Sequence, residues 1–428
     1  MTTNLTSRLR DLVGSSPRRS PAPRQGITGS ATDSLQRVAD MLGGEVRQLD
    51  GGSCILVDRF YGPETFHGHW RIGDCADVSE REPFQARILG GARMDGDGPL
   101  VSPLFFDLET TGLAGGAGTF AFLVGCAGFV NGAFRTRQCF LPGYGAERPL
   151  LAAVAECMAD ADLLVSFNGR TFDAPLLETR YLFHRTSMPF AHLPHLDMLH
   201  TARRLWNGDA GCSLRFLEGA LAGVRRLGDV PSIEIPARYV HYVRTGEVRP
   251  LVPVLEHNRL DLLSLAVLTA MAVDLVRQGA RAARNAPECL GLGRLYERAG
   301  LEAEALICYA RAASSEAGGG QEVRAEALRR LARRMRCARR HDEAATAWND
   351  VLSLSTADGV LAREAARALA VHHEHRSKDL QAARLFAARA ANAATTEAHR
   401  SSARHRLARL DRKLELGSSG GSGLFGRL

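Results

Sequence analysis

Two acids spaced two apart, Asp107 and Glu109, close the apolar run LVSPLFFDLET. A continuous apolar run of that length reads as a buried strand, and side chains two apart on a strand leave the same face. Two hard oxygen donors on one face suit Mg2+ or Mn2+ better than zinc. Taken alone, such a pair is more often a solvated strand end. A second acid, Asp173, follows the turn Asn168-Gly169 in NGRTFDAP, where the chain passes from the strand DLLVSFNG into a helix. Its bland reading is a helix N-cap, with Pro175 in the first turn where a missing N–H is harmless. That role is compatible with chemistry, because a helix N-terminus at a strand's end faces the same cleft. A third piece is His257-Asn258-Arg259-Leu260-Asp261. Positions four apart share a helix face, so an imidazole stands beside a carboxylate. Its bland reading is an exposed polar face. Asp197, in HLDML, is expected to be a surface or supporting acid.

The elements that must carry these groups follow from periodicity. The 428 residues are enough for two or three domains. With 45% hydrophobic and 24% charged residues, the composition is that of an ordinary soluble protein. No apolar run is long enough to span a bilayer, so no membrane association is expected. Residues 1–32 are polar and rich in Pro, Ser and Arg, and read as a disordered tail without the apolar core of a secretory signal. Residues 33–99 begin with a short amphipathic helix at 34–42 and continue as a small β-rich region. Over 100–279 the pattern alternates between strand and helix. TFAFLVGCAGFV and AFRTRQCFL flank Asn131-Gly132 as a hairpin. A helix at 147–160, the strand DLLVSFNG, a helix at 173–185, the short strand HLPHLDML, and helices at 198–206, 213–221 and 252–278 complete a mixed α/β sheet flanked by helices.

From Ala286 the chain reads as all-helical repeats. Leu292-Gly293-x-x-Tyr296 with Ala305-x-x-x-Tyr309 recurs as Leu331-Ala332-x-x-Met335 with Ala344-x-x-x-Trp348, and again as Leu369-Ala370-x-x-His373 with Ala382-x-x-x-Phe386. The spacing fits tetratricopeptide repeats, and with a last helix at about 395–415 it predicts an all-α solenoid over 286–415. Residues 416–428 read as a flexible end.

The nine cysteines form no CxxC pair and are odd in number. That argues against a zinc site or a disulfide framework and for a reducing, cytoplasmic setting. Gly112, Gly115, Gly116 and Gly118 form a Gly-rich turn with no GKS or GKT behind it, so not a P-loop. The net charge of +7 is uneven: from Arg281 onward there are 26 Lys/Arg against 17 Asp/Glu, and before it 28 against 30. Arg329–Arg340 alone carries seven arginines. A solvated repeat face is the default reading. The alternatives are a phosphate-tracking surface on Arg329, Arg330, Arg333 and Arg334, or a surface for an acidic protein partner.

Taken together, the three acidic pieces resemble the exonuclease motifs of the DEDD superfamily. DLETTG looks like the first motif, Asn168-x-x-x-Phe172-Asp173 like the second as found in family B DNA polymerases, and HNRLD like the third at its YxxxD spacing, with His in the tyrosine's place. ETTGLAGGAGTFAFLVG, SLRFLEGAL…RRLGDVPSIEIPARYVHYVRTG and HNRLDLLSL are similar to the YprB-type RNase H-like domain family, which is often followed by tetratricopeptide repeats. The resemblance implies a metal-dependent nuclease, a 3′–5′ exonuclease acting on DNA or RNA with two Mg2+ or Mn2+ ions. Asp107 would bridge both ions, with Glu109 and Asp261 at one and Asp173 supporting the other. His257 would orient or deprotonate the attacking water. Thr110, Thr111, Leu113, Asn168 and Phe172 would meet the nucleic acid, although Phe172 is as readily a core residue. Two other functions fit parts of the sequence: a catalytically weak nucleic-acid-binding module, and a repeat-based adaptor.

Overall fold

The computed structural model describes residues 31–49, 51–81, 83–90, 102–112, 118–206, 211–314, 318–355 and 359–419. Residues 1–30 and 420–428 of the expected tails, Leu113 and most of the Gly-rich turn lie outside the described residues; residues 31–32 and 416–419, expected to belong to those tails, are helical.

The chain opens with α1 (Ala31–Leu42), β1 (Glu45–Leu49) and β2 (Gly52–Tyr61), then the short pair β3 (Phe66–His67) and β4 (Trp70–Arg71), then α2 (Ile72–Arg81) and α3 (Pro83–Gly90). β5 (Pro103–Thr110), β6 (Ala121–Val130) and β7 (Ala133–Phe140) follow. Asn131 and Gly132, with φ of 52° and 76°, make the turn between β6 and β7, the left-handed pair that a two-residue hairpin needs. Next come α4 (Glu147–Met158), β8 (Leu163–Ser166), α5 (Asp173–Phe183), β9 (His195–Asp197) and α6 (Met198–Leu205). α7 (Leu214–Leu217) runs into a π turn, and α8 (Ile235–Thr245) precedes the long α9 (Val252–Gln278).

The sheet has seven strands in the order β1-β2-β7-β6-β5-β8-β9. β1, β2, β7, β6 and β5 pair antiparallel, whereas β5, β8 and β9 are parallel. The N-terminal strands expected to form a region of their own therefore extend the main sheet, through the register Leu56↔Cys139. The second half of that region is helical rather than β-rich. α8 occupies a stretch where periodicity had suggested no element.

Helices cover both faces of the central sheet, so β6 and β8 are almost wholly apolar, whereas the outer β1 is polar and largely exposed. On one face Phe105, Ala127, Val165 and Leu196 pack against Leu262, Leu265 and Ala266 of α9. On the other, Phe106, Leu108, Val124 and Leu164 pack against Leu150, Val154, Leu177 and Tyr181. Alternation along β5 thus sends Phe105, Asp107 and Glu109 towards α9.

Among the described residues seven helices follow: α10 (Ala286–Arg298), α11 (Glu302–Ala313), α12 (Gln321–Cys337), α13 (His341–Leu354), α14 (Val360–His372), α15 (Leu380–Asn392) and α16 (Glu397–Ser419). Each packs on the next, as the repeat spacing predicts. The α9 core continues without a break into α10 and α11 through Leu205, Trp206, Leu290, Leu292 and Tyr309. Trp206 Nε1 donates to Glu288 Oε1 at 2.7 Å, and Tyr296 donates its hydroxyl to the Val276 carbonyl at 2.5 Å. At Gly291 a Cβ would lie 2.0 Å from the Arg204 carbonyl oxygen. Gly291→Ala is therefore expected to force the two bodies apart, at a cost of about 1–3 kcal/mol. Urea denaturation at an unchanged m-value checks this, and a midpoint equal to wild type would contradict the close packing.

Candidate active site

The acids arrive from three elements. Asp107 and Glu109 lie near the end of β5, just before a register shift between Glu109 and Thr110. Asp173 is the first residue of α5. Asp261 is on α9, one turn beyond His257. The expected capping role of Asp173 is absent: Phe172 is the N-cap, and no side chain caps this helix.

The four acids sense one another. Burial raises the Asp107 carboxyl well above the usual carboxylate range, and repulsion from Asp261, Glu109 and Asp173 adds to it. Burial likewise raises Glu109, with Asp261, Asp173 and Asp229 adding. Burial and then Asp197 lift Asp173 to about 7. Like charges in a desolvated space cannot all stay ionised without a cation; some take up protons instead. Among the described residues the close counter-charge is Arg226, whose Nη2 lies 2.6 Å from Asp261 Oδ1. Hard carboxylate oxygens are the donor chemistry that Mg2+ or Mn2+ takes. Among the described residues, however, no three His, Cys, Asp or Glu side chains are gathered as ligands around one point.

Asp107 and His257 are held from behind. Asn258 Nδ2 donates to Asp107 Oδ2 at 2.8 Å. Asn258 Oδ1 in turn accepts from Gln138 Nε2 at 2.8 Å, and the same amide nitrogen donates to the Leu255 carbonyl. Gly125, opposite Asp107 in the sheet, makes room: a Cβ there would sit 2.3 Å from Asn258 Oδ1. His257 Nδ1 meets Asp229 Oδ1 at 2.7 Å. A ring N–H donating there leaves Nε2 free to face the acids, 3.6 Å from Asp261 Oδ2. Asp229 is buried, yet the His257 hydrogen bond together with Arg226 and Arg215 holds its carboxyl below the ordinary value. Arg226 also pairs with Glu218 at 2.6 Å. Ser264 donates to Glu218, and His67 from β3 meets Ser264 Oγ at 2.8 Å. Burial and Arg226 lower His67 to about 4, so it is neutral near pH 7. The N-terminal hairpin thus buttresses the wall behind the acids.

Asp197, expected at the surface or in support, is buried and supporting. It accepts from the backbone N–H groups of Asn168 (2.8 Å), Leu199 (3.0 Å) and Arg170 (3.2 Å). It therefore fixes the turn that aims Asp173. Asn168 has φ 69°. At Gly169 a Cβ would lie 2.7 Å from Asp173 Oδ2, so the turn comes too close for any larger residue. Phe172 is 58% exposed, which removes the core reading. Thr110 Oγ1 donates to the Gly112 carbonyl at 2.9 Å. Thr111 Oγ1 accepts from the Phe120 amide at 3.0 Å, closing the neck of the Gly-rich loop.

The four arginines of the basic stripe lie on α12, away from these elements in the chain, and three of them are well paired. Arg329 meets Glu364 at 2.6 Å, Arg330 meets Glu326 at 2.7 Å and Glu297 at 2.8 Å, and Arg334 pairs with Glu297 and Glu302. Arg333 is the looser one, 3.8 Å from Glu364 with half its side chain exposed.

An antiparallel β5-β6-β7 meander joined to parallel strands, with acids gathered where β5, α5 and α9 meet, defines a class. Residues 104–273 match the RNase_H_2 family, described as RNase_H superfamily, and this stretch is an RNase H-like domain. YprB of Bacillus subtilis (strain 168), an uncharacterized protein, is 39% identical over 168 residues, which are 38% of this chain and 40% of YprB. The chain thus matches well under two thirds of that curated relative's length. No helix among the described residues is long and apolar enough to cross a membrane.

Folding raises the Asp173 carboxyl from its ordinary 3.8 to about 7, so the folded state holds that proton more tightly. Its stabilising contribution is full below pH 3.8 and fades as the pH rises through about 7. In chelator-treated protein, Asp173→Asn is expected to melt above wild type at pH 8, with the gain gone by about pH 4. Thermal melts at both pH values check this; an equal gain at both would assign the effect to packing.

Proposed function

We propose that the chain is a metal-dependent nuclease that hydrolyses phosphodiester bonds as a 3′–5′ exonuclease. The observation that carries this reading is the set of four mutually repelling carboxylates, three of them pushed upward by burial, with His257 aimed at their edge. Asp107, Glu109, Asp173 and Asp261 would hold two divalent ions, Mg2+ or Mn2+. Such ions supply an acidified water and neutralise charge on the leaving oxygen. The chain's own groups do the rest. Asn258 keeps Asp107 in one rotamer, and Asp229 fixes the His257 ring with Nε2 forward to orient the attacking water or receive its proton. Exposed Phe172 offers a ring for a base to stack on, and Asn168, Thr110 and Thr111 shape the groove beside it. The RNase_H superfamily match at 104–273 covers the residues that carry these groups, and the nine free thiols fit a reducing cytoplasm.

On the repeats, paired Arg329, Arg330 and Arg334 are structural, and Arg333 is the one of the four available to phosphate. It lines a cavity of about 320 Å3 with Arg336, Arg367 and Trp348. Phosphate is favoured over an acidic protein partner because an RNase H-like domain precedes the repeats.

End-labelled single-stranded DNA and RNA, incubated with Mn2+ or Mg2+, should be shortened stepwise from the 3′ end. Asp107→Ala should abolish the ladder on both, and a wild type indistinguishable from it on every substrate would refute catalysis. An internal cleavage pattern would replace the exonuclease reading with an endonuclease.

Asp229→Asn and Asn258→Ala should each cost about 10–100-fold in activity or metal affinity, as supporting groups around metal sites do. Asn258→Ala should weaken the rise in melting temperature produced by Mn2+. A full-strength Mn2+ effect in that variant would separate Asn258 from ion binding.

A further inference from the structure

The sheet face away from the acids carries a second chemical cluster. Cys126 on β6 and Cys139 on β7 leave the same side of the sheet, because Cys126 pairs with Arg137 and Cys139 with Val124 in the antiparallel register. α4 packs across that side, and its Cys157 lines one cavity together with Cys126. Cys126 and Cys139 are fully buried, whereas Cys157 is half-buried. A cavity of about 330 Å3 opens above the cluster, and Cys126 and Cys157 line it with Phe129 and Arg137 while Cys139 does not. Arg137 is pinned by Asp58 through two hydrogen bonds of 2.7 and 2.8 Å.

Thiolates, not thiols, react with peroxides. The neighbouring Cys126 and Cys139 thiols and the Arg137 guanidinium favour the charged form of Cys157 and, against burial, hold it well below the ordinary thiol range. The Cys157 sulfur nearby and burial push Cys126 upward, making it the proton-bearing partner. This polarity matches an attacking thiol beside a resolving one. None of these groups takes part in the proposed hydrolysis.

We propose that Cys157 is a peroxide-sensitive thiol that resolves on Cys126 to form an internal disulfide between α4 and β6. The Cys157 thiolate attacks one peroxide oxygen, the O–O bond breaks and hydroxide leaves, giving a sulfenic acid. The Cys126 thiol gives up its proton, its sulfur attacks the Cys157 sulfur, and the hydroxyl departs as water. Two thiols and one hydrogen peroxide thus become one disulfide and two waters. Cys126 is favoured over Cys139 as the resolving partner because it shares the cavity. Its neighbour along β6 is Gly125, which packs against the amide that holds Asp107, so the crosslink lands one residue from the acid site's support.

The test uses full-length protein treated with hydrogen peroxide, alkylated and mapped by peptide mass spectrometry. The expected result is a Cys126–Cys157 linked peptide that dithiothreitol removes. Exposed Cys337 is resolved separately by its own peptide. In Cys126→Ala, where no resolving thiol remains, dimedone should label Cys157, and labelling in wild type should be several-fold weaker. A Cys139–Cys157 link, or Cys157 recovered unmodified in wild type and unlabelled in Cys126→Ala, would overturn the proposal.

Discussion

Carboxylates gathered out of water repel one another, and the rest of the domain is arranged around that constraint. Asp107, Glu109 and Asp173 are all pushed towards their protonated forms by burial and by neighbouring acids. Arg226 is shared among Glu218, Asp229 and Asp261, so its single charge cannot balance the site. Such an arrangement persists only where surrounding structure over-determines it. Here that structure is two apolar cores, one on each face of the sheet, and a ring of neutral or paired donors behind the acids. Asn258, Gln138 and the Asp197-bound turn cancel no charge on the four acids but remove the freedom to swing apart. Under the proposed function, a cation among these acids would relieve their repulsion.

The acids themselves were legible in the sequence because each falls under a local rule. Asp107 and Glu109 follow a strand's period of two, His257 and Asp261 a helix's turn, and Asp173 a turn before a helix. Their supports were not, for the opposite reason. Asn258 is adjacent to His257 but leaves α9 on the inward side, and only the sheet brings Gly125 and Gln138 to it. Asp229 and Arg226 lie in irregular chain, where no periodicity aims a side chain. The pairing of β2 with β7 joins residues about eighty apart in sequence, so the N-terminal hairpin read as a separate region. α8 was readable in principle: Pro236 stands in its first turn and Gly246, at φ 77°, just past its end, the usual start and stop residues of a helix.

The arginine-rich stripe shows how composition can mislead about surface charge. Counting gives the C-terminal third a strong positive excess. In the fold, Glu297, Glu302, Glu326 and Glu364 come from neighbouring helices or the next turn to meet Arg329, Arg330 and Arg334. Those pairs clamp one repeat to the next. The charge left to act on a partner is concentrated at a few arginines instead of spread along α12.

The unbroken core from α9 into α10 and α11 has a mechanical consequence. Two bodies joined by a flexible linker explore a cloud of relative positions, and their cooperation depends on linker length. Here Trp206, Glu288 and the close approach at Gly291 leave no such linker. The helical array is a rigid arm with its shoulder on the nuclease-like sheet. A ligand bound on the array would be held at a set reach and bearing from the acids, so the distance from array to cleft is a ruler built into the fold.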